Sequence, residues 1–100
     1  IFYKRQYTPD GYEKTWALNV LSPFLLTNEL AGLMVRSAPA RIINVASNAH
    51  RYGKVDFDDL NAGGFWSAWA AYGQSKLALV MFTYFAVNLW VSGLHSYAGV

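Results

Sequence analysis

Tyr72 and Lys76 stand four residues apart in AYGQSK, Ala71 to Lys76. On a helix that spacing stacks a phenol and an ammonium on one face. The chemistry open to such a pair is proton transfer. A free phenol is too weak an acid for efficient transfer near neutrality, and a cation one turn away favours its ionised form. Alone, the spacing carries little: seven tyrosines and four lysines in 100 residues supply roughly 0.3 such pairs by chance. Two further residues bear on it. Ser47 ends RIINVAS, and its hydroxyl either satisfies a strand end or faces a ligand, since ligands of parallel α/β sheets bind beyond the carboxyl ends of strands. Pro23 lies inside a helical pattern and cannot donate to the carbonyl of Asn19, four residues back. A kink is expected there, either simply tolerated or leaving the Asn19 carbonyl free for water or another partner.

The elements that must position these residues follow from periodicity. Thr8-Pro9-Asp10 supplies helix-start chemistry, with Glu13 three after Asp10 as in a capping box. Trp16, Val20, Phe24, Leu25, Leu30, Leu33 and Met34 then recur at helical spacing, which predicts a helix from about Asp10 to Ser37. Ser37-Ala38-Pro39 ends it, because the residue before a proline avoids the α region. The Ile-Ile-Val run predicts a buried strand over Arg41–Ser47. Asn48 to Gly64 is polar and glycine-bearing and reads as a long irregular connection. A second long helix is expected from about Trp66 to Val91. Helix, strand, loop and helix in that order suit an α/β layer fold, and one strand requires partners from elsewhere.

With these positions in hand, a resemblance is visible. AYGQSK, with Ser47 behind ARIINVA and Asn19 in LNVLSPFLLT, resembles the short-chain dehydrogenase/reductase family, whose mark is an Asn, Ser, Tyr, Lys tetrad. DGYEKTWALNVLSPFLLT, SAPARIINVASNAH, DFDDLN and AYGQSKLA are together most similar to the branch holding retinol dehydrogenases and WW-domain oxidoreductase. The 25 positions between Ser47 and Tyr72 suit that branch, and the match runs from about Thr8 to Leu89. It implies an α/β fold, part of a Rossmann-like doubly wound parallel sheet. It implies NAD or NADP as cofactor and a reaction that interconverts a hydrophobic alcohol and a carbonyl, retinoid, steroid or lipid-like. Within the tetrad, Tyr72 is implied as general acid/base and Lys76 as its tuning cation. Both face the cofactor, and Lys76 also binds the nicotinamide ribose. Ser47 is implied to hydrogen-bond the reacting substrate oxygen, and Asn19 to hold, through its carbonyl, a water linking Lys76 to solvent.

Departures from the pattern shape a further expectation. The glycine-rich phosphate turn and the residue that separates NAD from NADP are missing, and the family's Asn-Asn-Ala-Gly block would fall before Ile1. The Pro-Gly turn after the next strand would fall beyond Val100, LWVSGLHSYAGV fits poorly, and Ala46 stands where relatives often carry a second serine. Residues 1–100 are therefore expected to form one partial domain, the catalytic segment, with the N-terminal nucleotide-binding half absent. On its own the piece is expected to be inactive. The alternative function is an interaction piece, since helices like these two form the dimer interface in the family, and a homo-oligomer is expected.

Composition closes other routes. A net charge of +2 gives no nucleic-acid footprint. Without cysteine there are no disulfides or thiolate metal sites. His50 with Asp56, Asp58 and Asp59 fits no standard metal spacing, so no metal is expected and these residues read as a solvated loop near the substrate. Trp66, Trp69 and Trp90 read as packing, with Trp66 and Trp69 alternatively an apolar substrate wall. The hydrophobic share of 54% is rich for a free-standing domain. IFYKRQYTPDG is too short in apolar residues for a signal peptide. The 18 positions from Leu77 to Leu94 carry no charge, near the lower edge of a membrane span. Thr83, Tyr84 and Asn88 interrupt that run and no basic cluster flanks it, which favours a buried helix. A cytoplasmic location is expected, with membrane association as the alternative.

Overall fold

The chain enters its first helix through a turn, with Glu13 rather than Asp10 as the cap. The computed structural model describes residues 1–37, 39–89 and 94–99. Gly11 donates to the Thr8 carbonyl at 2.9 Å and Thr8 to that of Tyr12 at 2.7 Å. Gly11 takes φ +89, a conformation that favours glycine, so Asp10 is spent on the turn. Tyr7 and Glu13 then bridge antiparallel. Glu13 itself is extended, at φ −60 and ψ 133. Its carboxylate accepts from the N–H groups of Thr15 at 3.0 Å and Trp16 at 2.8 Å. A negative charge on otherwise orphaned helix donors is stabilising twice over, by hydrogen bonding and by the helix dipole.

The first helix runs Lys14–Arg36. In place of a simple kink at Pro23, the preceding residues Ala17–Leu21 form a π turn. The N–H of Ser22 donates to the Ala17 carbonyl, five residues back. The wider turn resets the ladder, so that Pro23 falls in the first turn of the α-helical stretch Ser22–Arg36, where its missing N–H is least needed. Ser37 closes the end, donating to Leu33 and Met34. This helix has 23 residues, and an 18-residue stretch of it has a mean hydropathy of 1.3, long and apolar enough to cross a membrane by length and composition. The uncharged run from Leu77 extends into residues outside those described.

Strand β1 spans Ala40–Val45, starting one residue before the expected Arg41 and ending two before the expected Ser47. It is not buried throughout. Asn44 is buried, whereas Ile43 is 63% and Val45 65% exposed. A strand pleat sends alternate side chains to opposite faces, and only one face of β1 has a helix on it among the described residues. Nor is β1 alone. Leu94–Gly99 forms β2, parallel to β1 in the register Ala40↔Leu94 to Val45↔Gly99. The element order β1, helix, β2 is a βαβ unit, and the tail expected to fit poorly supplies its second strand. The connection after β1 opens with a 3-10 turn, Asn48–Arg51. The second helix runs Ala68–Leu89; the expectation that it continues to Val91, and the packing role of Trp90, lie outside the described residues. Leu79, Ala71, Trp16 and Val20 form the apolar core, and Ser75, Thr83 and Thr27 are buried with them. Asn44 donates to Thr83 Oγ1 at 3.0 Å, and Thr83 donates to the Leu79 carbonyl at 2.7 Å. That relay ties the inner face of β1 to the second helix without leaving a buried amide unpaired.

Candidate active site

Every residue between Tyr72 and Lys76 anchors the turn they define. Gly73 lets the chain after Ser47 come down onto the helix: a Cβ at Gly73 would lie 2.7 Å from the Tyr52 ring, and one at Gly53 would lie 2.2 Å from the Gly73 carbonyl oxygen. Gln74 accepts from the Asp56 N–H at 3.0 Å. Ser75 is fully buried. Its hydroxyl donates to the Tyr72 carbonyl at 2.7 Å and accepts from Asn19 Nδ2 at 3.0 Å. Sequence reasoning passed over these three residues. Ser75 at least carried a signal, since a serine within a helix, three after Tyr72, can back-bond to that carbonyl.

Lys76 reaches the end of β1. Its Nζ donates to the Val45 carbonyl at 3.0 Å and lies 5.6 Å from the Tyr72 ring centroid. Trp69 flanks the same ring edge-on at 6.3 Å, and Tyr3 packs edge-on against Trp69 at 6.5 Å. The half-buried Tyr72 ring is therefore held between an indole and an ammonium. Asn19 and Lys76 line one cleft of about 360 Å³, together with Ser22, Pro23, Asn44 and Val45. Ser47 follows β1 by two residues. Its Oγ accepts from the Ala49 N–H at 3.2 Å and so caps the 3-10 turn. His50 Nδ1 sits 2.6 Å from the Ser47 carbonyl oxygen. The strand-end role weighed for Ser47 is thus present, and the hydroxyl keeps its own proton to donate.

The acidic loop residues serve the loop. Asp59 accepts from Gly63 N–H at 2.8 Å and Gly64 N–H at 3.0 Å. The Gly64 bond, then the Gly63 bond, hold its carboxyl below the usual carboxylate range; a lesser upward push from burial opposes them, and Arg5 adds the smallest lowering effect. Arg5 donates to the carbonyls of Ala62 and Gly64. Asp56 Oδ1 accepts from the Asp58 N–H. Among the described residues no group of three His, Cys, Asp or Glu could hold a metal ion. Trp66 is tied by its indole N–H to Glu13 Oε1 at 3.4 Å, which makes it part of the first helix's cap. Trp69 is 57% exposed beside Tyr72.

Known proteins resemble this chain over most of its length. Retinol dehydrogenase 14 of Homo sapiens is 46% identical over 76 residues, covering 76% of this chain and 23% of its own length. Retinol dehydrogenase 12 of Bos taurus is 45% identical over 92 residues, 91% of this chain and 29% of its own. Polyprenol dehydrogenase of Homo sapiens is 42% identical over 98 residues, 93% of this chain and 30% of its own. The chain thus spans under a third of these relatives. A crystal structure of an uncharacterised protein from Mycobacterium paratuberculosis superposes with a TM-score of 0.83 at 34% identity, over 95% of this chain and 35% of that one. The short chain dehydrogenase family matches residues 3–90. With the tyrosine, the lysine and the βαβ unit arranged as described, the chain belongs to the short-chain dehydrogenase/reductase family and is retinol dehydrogenase-like.

Proposed function

We propose that this chain is the catalytic segment, a partial domain, of an oxidoreductase that interconverts an apolar alcohol and its carbonyl with NAD or NADP. The observation that carries the reading is the reach of Lys76. Its ammonium is bonded at the last residue of β1 while lying beside the Tyr72 ring, so cation and phenol meet at the carboxyl edge of a parallel sheet, where ligands of such sheets bind. In the oxidative direction Tyr72 takes the hydroxyl proton of the alcohol, and in the reductive direction it returns that proton to the forming hydroxyl. The Lys76 ammonium beside the ring stabilises the Tyr72 oxyanion, which accepts the proton in oxidation and is left behind in reduction. Ser47 donates its free hydroxyl proton toward the reacting oxygen and orients it. Asn19 offers its carbonyl to a water that connects Lys76 with solvent.

The residues present fit the nicotinamide-ribose end of the cofactor. Lys76 Nζ carries three donors and spends one on Val45, so two remain for ribose hydroxyls. Bound there, the nicotinamide supplies or accepts the hydride. The substrate is taken as apolar because relatives are named for retinol and polyprenol, both apolar alcohols, and because exposed Trp69 and Phe65 stand on the turn leading to Tyr72. In the full-length protein that carries this segment, Tyr72→Phe should lower kcat by about 10²- to 10⁴-fold with NAD(P) affinity retained. A wild-type kcat in that variant would remove Tyr72 from the role.

A second reading rests on the groove between the two helices. Trp16, Val20, Phe24, Met81, Phe82 and Phe85 line an apolar hollow of about 380 Å³, with Phe24 and Phe82 edge-to-face at 5.3 Å. A homo-oligomer formed through these helices would cover it, with or without catalysis, and cofactor binding separates the two readings. A cytoplasmic protein is favoured over a membrane-spanning one because the first helix is tied to polar partners of its own chain through Glu13 and Asn19. Partition into detergent would reverse that preference.

A further inference from the structure

The π turn and Ser75 together do something that the tetrad as usually drawn does not require. Asn19 is the middle residue of the five-residue π turn Ala17–Leu21. Its side-chain amide donates across 56 positions of sequence to Ser75 Oγ at 3.0 Å, and Ser75 donates onward to the Tyr72 carbonyl at 2.7 Å. Ser75 is 0% exposed, so no water competes for its hydroxyl, and its one proton and an acceptor site are both used. A serine bonded back along its own helix usually gains little, because the carbonyl is already in the helical ladder. Here the back-bond passes the orientation of another element to the residue that bears the phenol. The π turn is what brings Asn19 to this position. One residue more or fewer in the turn would swing the side chain by about 100°, one step of a 3.6-residue helix.

We infer that Ser75 is a positioning residue: through the Asn19–Ser75–Tyr72 bridge, the side chain of Asn19 fixes the turn bearing Tyr72 against the first helix and thereby aims the phenol at its substrate. This rests on Tyr72 being the acid/base group, and it assigns the Asn19 amide a task separate from that of its main-chain carbonyl. Lys76 ties the same turn to β1 and Gln74 ties it to the loop. The Ser75 bridge is the tie to the first helix, and without it the phenol rotates within the space beside Trp69.

The test uses the full-length protein with a retinoid or other apolar alcohol and NAD(P). Ser75→Ala should lower kcat by about 10- to 100-fold, the scale of small misplacements of a reacting group, with KM for both substrates within twofold. Asn19→Ala, which keeps the main-chain carbonyl, should do the same, and the double variant should be no slower than the slower single one. Ser75→Cys, similar in volume with a weak donor, should recover part of the loss. Unchanged kcat in Ser75→Ala together with a lower Tm would make the bridge merely structural, and effects that multiply in the double variant would make the two residues independent. Either result overturns the inference. Should Ser75→Ala not fold, Asn19→Ala and Ser75→Cys carry the same comparison. Tyr72→Phe run alongside keeps the two questions apart: if it stays active the acid/base assignment fails, and if it is inactive while Ser75→Ala keeps full kcat only the positioning role fails.

Discussion

At the scale of single residues, Tyr72 and Lys76 divide their labour in a way that a pair of variants can resolve. Tyr72 has a proton to move, whereas Lys76 has a charge to supply and donors to offer a ribose. Lys76→Met in the full-length protein should therefore lower kcat and also weaken NAD(P) binding, by tenfold or so for the loss of about 1.4 kcal/mol of charge-assisted hydrogen bonding. Tyr72→Phe should leave binding close to wild type, and isothermal titration of both variants makes the comparison. Equal affinities would reduce Lys76 to a strand-end tether for Val45. Asp59 offers a prediction of a different kind. Its folded carboxyl is held below the ordinary value, mainly by Gly64 and Gly63. A depressed folded pKa means that the bonds contribute fully above the ordinary carboxylate range and are lost as pH falls through the lowered value. Amide exchange at Gly63 and Gly64 should lose protection as the pH falls below about 4, and in Asp59→Asn that step should be missing. Asp59 also shows what spacing could not convey. As one of several acids near His50 it suggests a possible ligand, and only the loop's folding back on Gly63 and Gly64 reveals a carboxylate committed to its own backbone.

At the scale of elements, the site depends on how closely the loop after β1 approaches the second helix. Gly53 is the tightest point, where any side chain meets the Gly73 main chain rather than a movable group. Gly53→Ala should cost about 1–3 kcal/mol as overpacking does, read as a lower Tm. It should also slow turnover, because it pushes on the residue next to Tyr72. Retained Tm and kcat would mean that the approach is looser than described. The helices, the strand after the first of them and the long connection were all legible, because helical spacing, the Ile-Ile-Val run and the polar stretch each leave a pattern in composition. Three features left none. Glu13 as cap was hidden because Asp10 has the better cap chemistry, until Gly11 at positive φ claims Asp10 for a turn. The π turn was legible only as trouble at Pro23; a broken ladder can be repaired by kinking or by widening, and sequence does not choose. β2 was hidden because LHSYAG has no continuous apolar run, and its pairing with β1 is a non-local fact.

At the scale of the whole molecule, the described residues amount to a βαβ unit and one more helix, with much apolar surface facing outward. Ile43 and Val45 on β1 and Leu18, Leu25 and Leu26 on the first helix are exposed. β2 satisfies one edge of β1, so the strand finds one of its partners within these residues, while the other edge has no partner among the described residues. These 100 residues alone should therefore self-associate in size-exclusion chromatography, since an open edge beside an apolar face is a template for pairing. Calorimetric titration should detect no binding of NAD or NADP, because the pyrophosphate needs backbone N–H groups from a glycine-rich turn opening a helix. A monodisperse monomer that binds either nucleotide tightly would contradict both expectations. The Asn19, Ser47, Tyr72 and Lys76 tetrad could be proposed from sequence because its four blocks occur in order; what holds it could not, because the ties run between elements.

The π turn has one more consequence, for chain length rather than for any side chain. A five-residue turn is an α-helix carrying one surplus residue, so deleting a single residue from Ala17–Leu21 would leave a smoother helix. It would also turn everything upstream, Glu13 with its hold on Trp66 and Asn61 included, by about a quarter of a revolution relative to Pro23 and beyond. Substitutions can drift in this stretch at positions other than Asn19, but its residue count cannot. Insertions and deletions among relatives should be excluded from these five positions even where identities change.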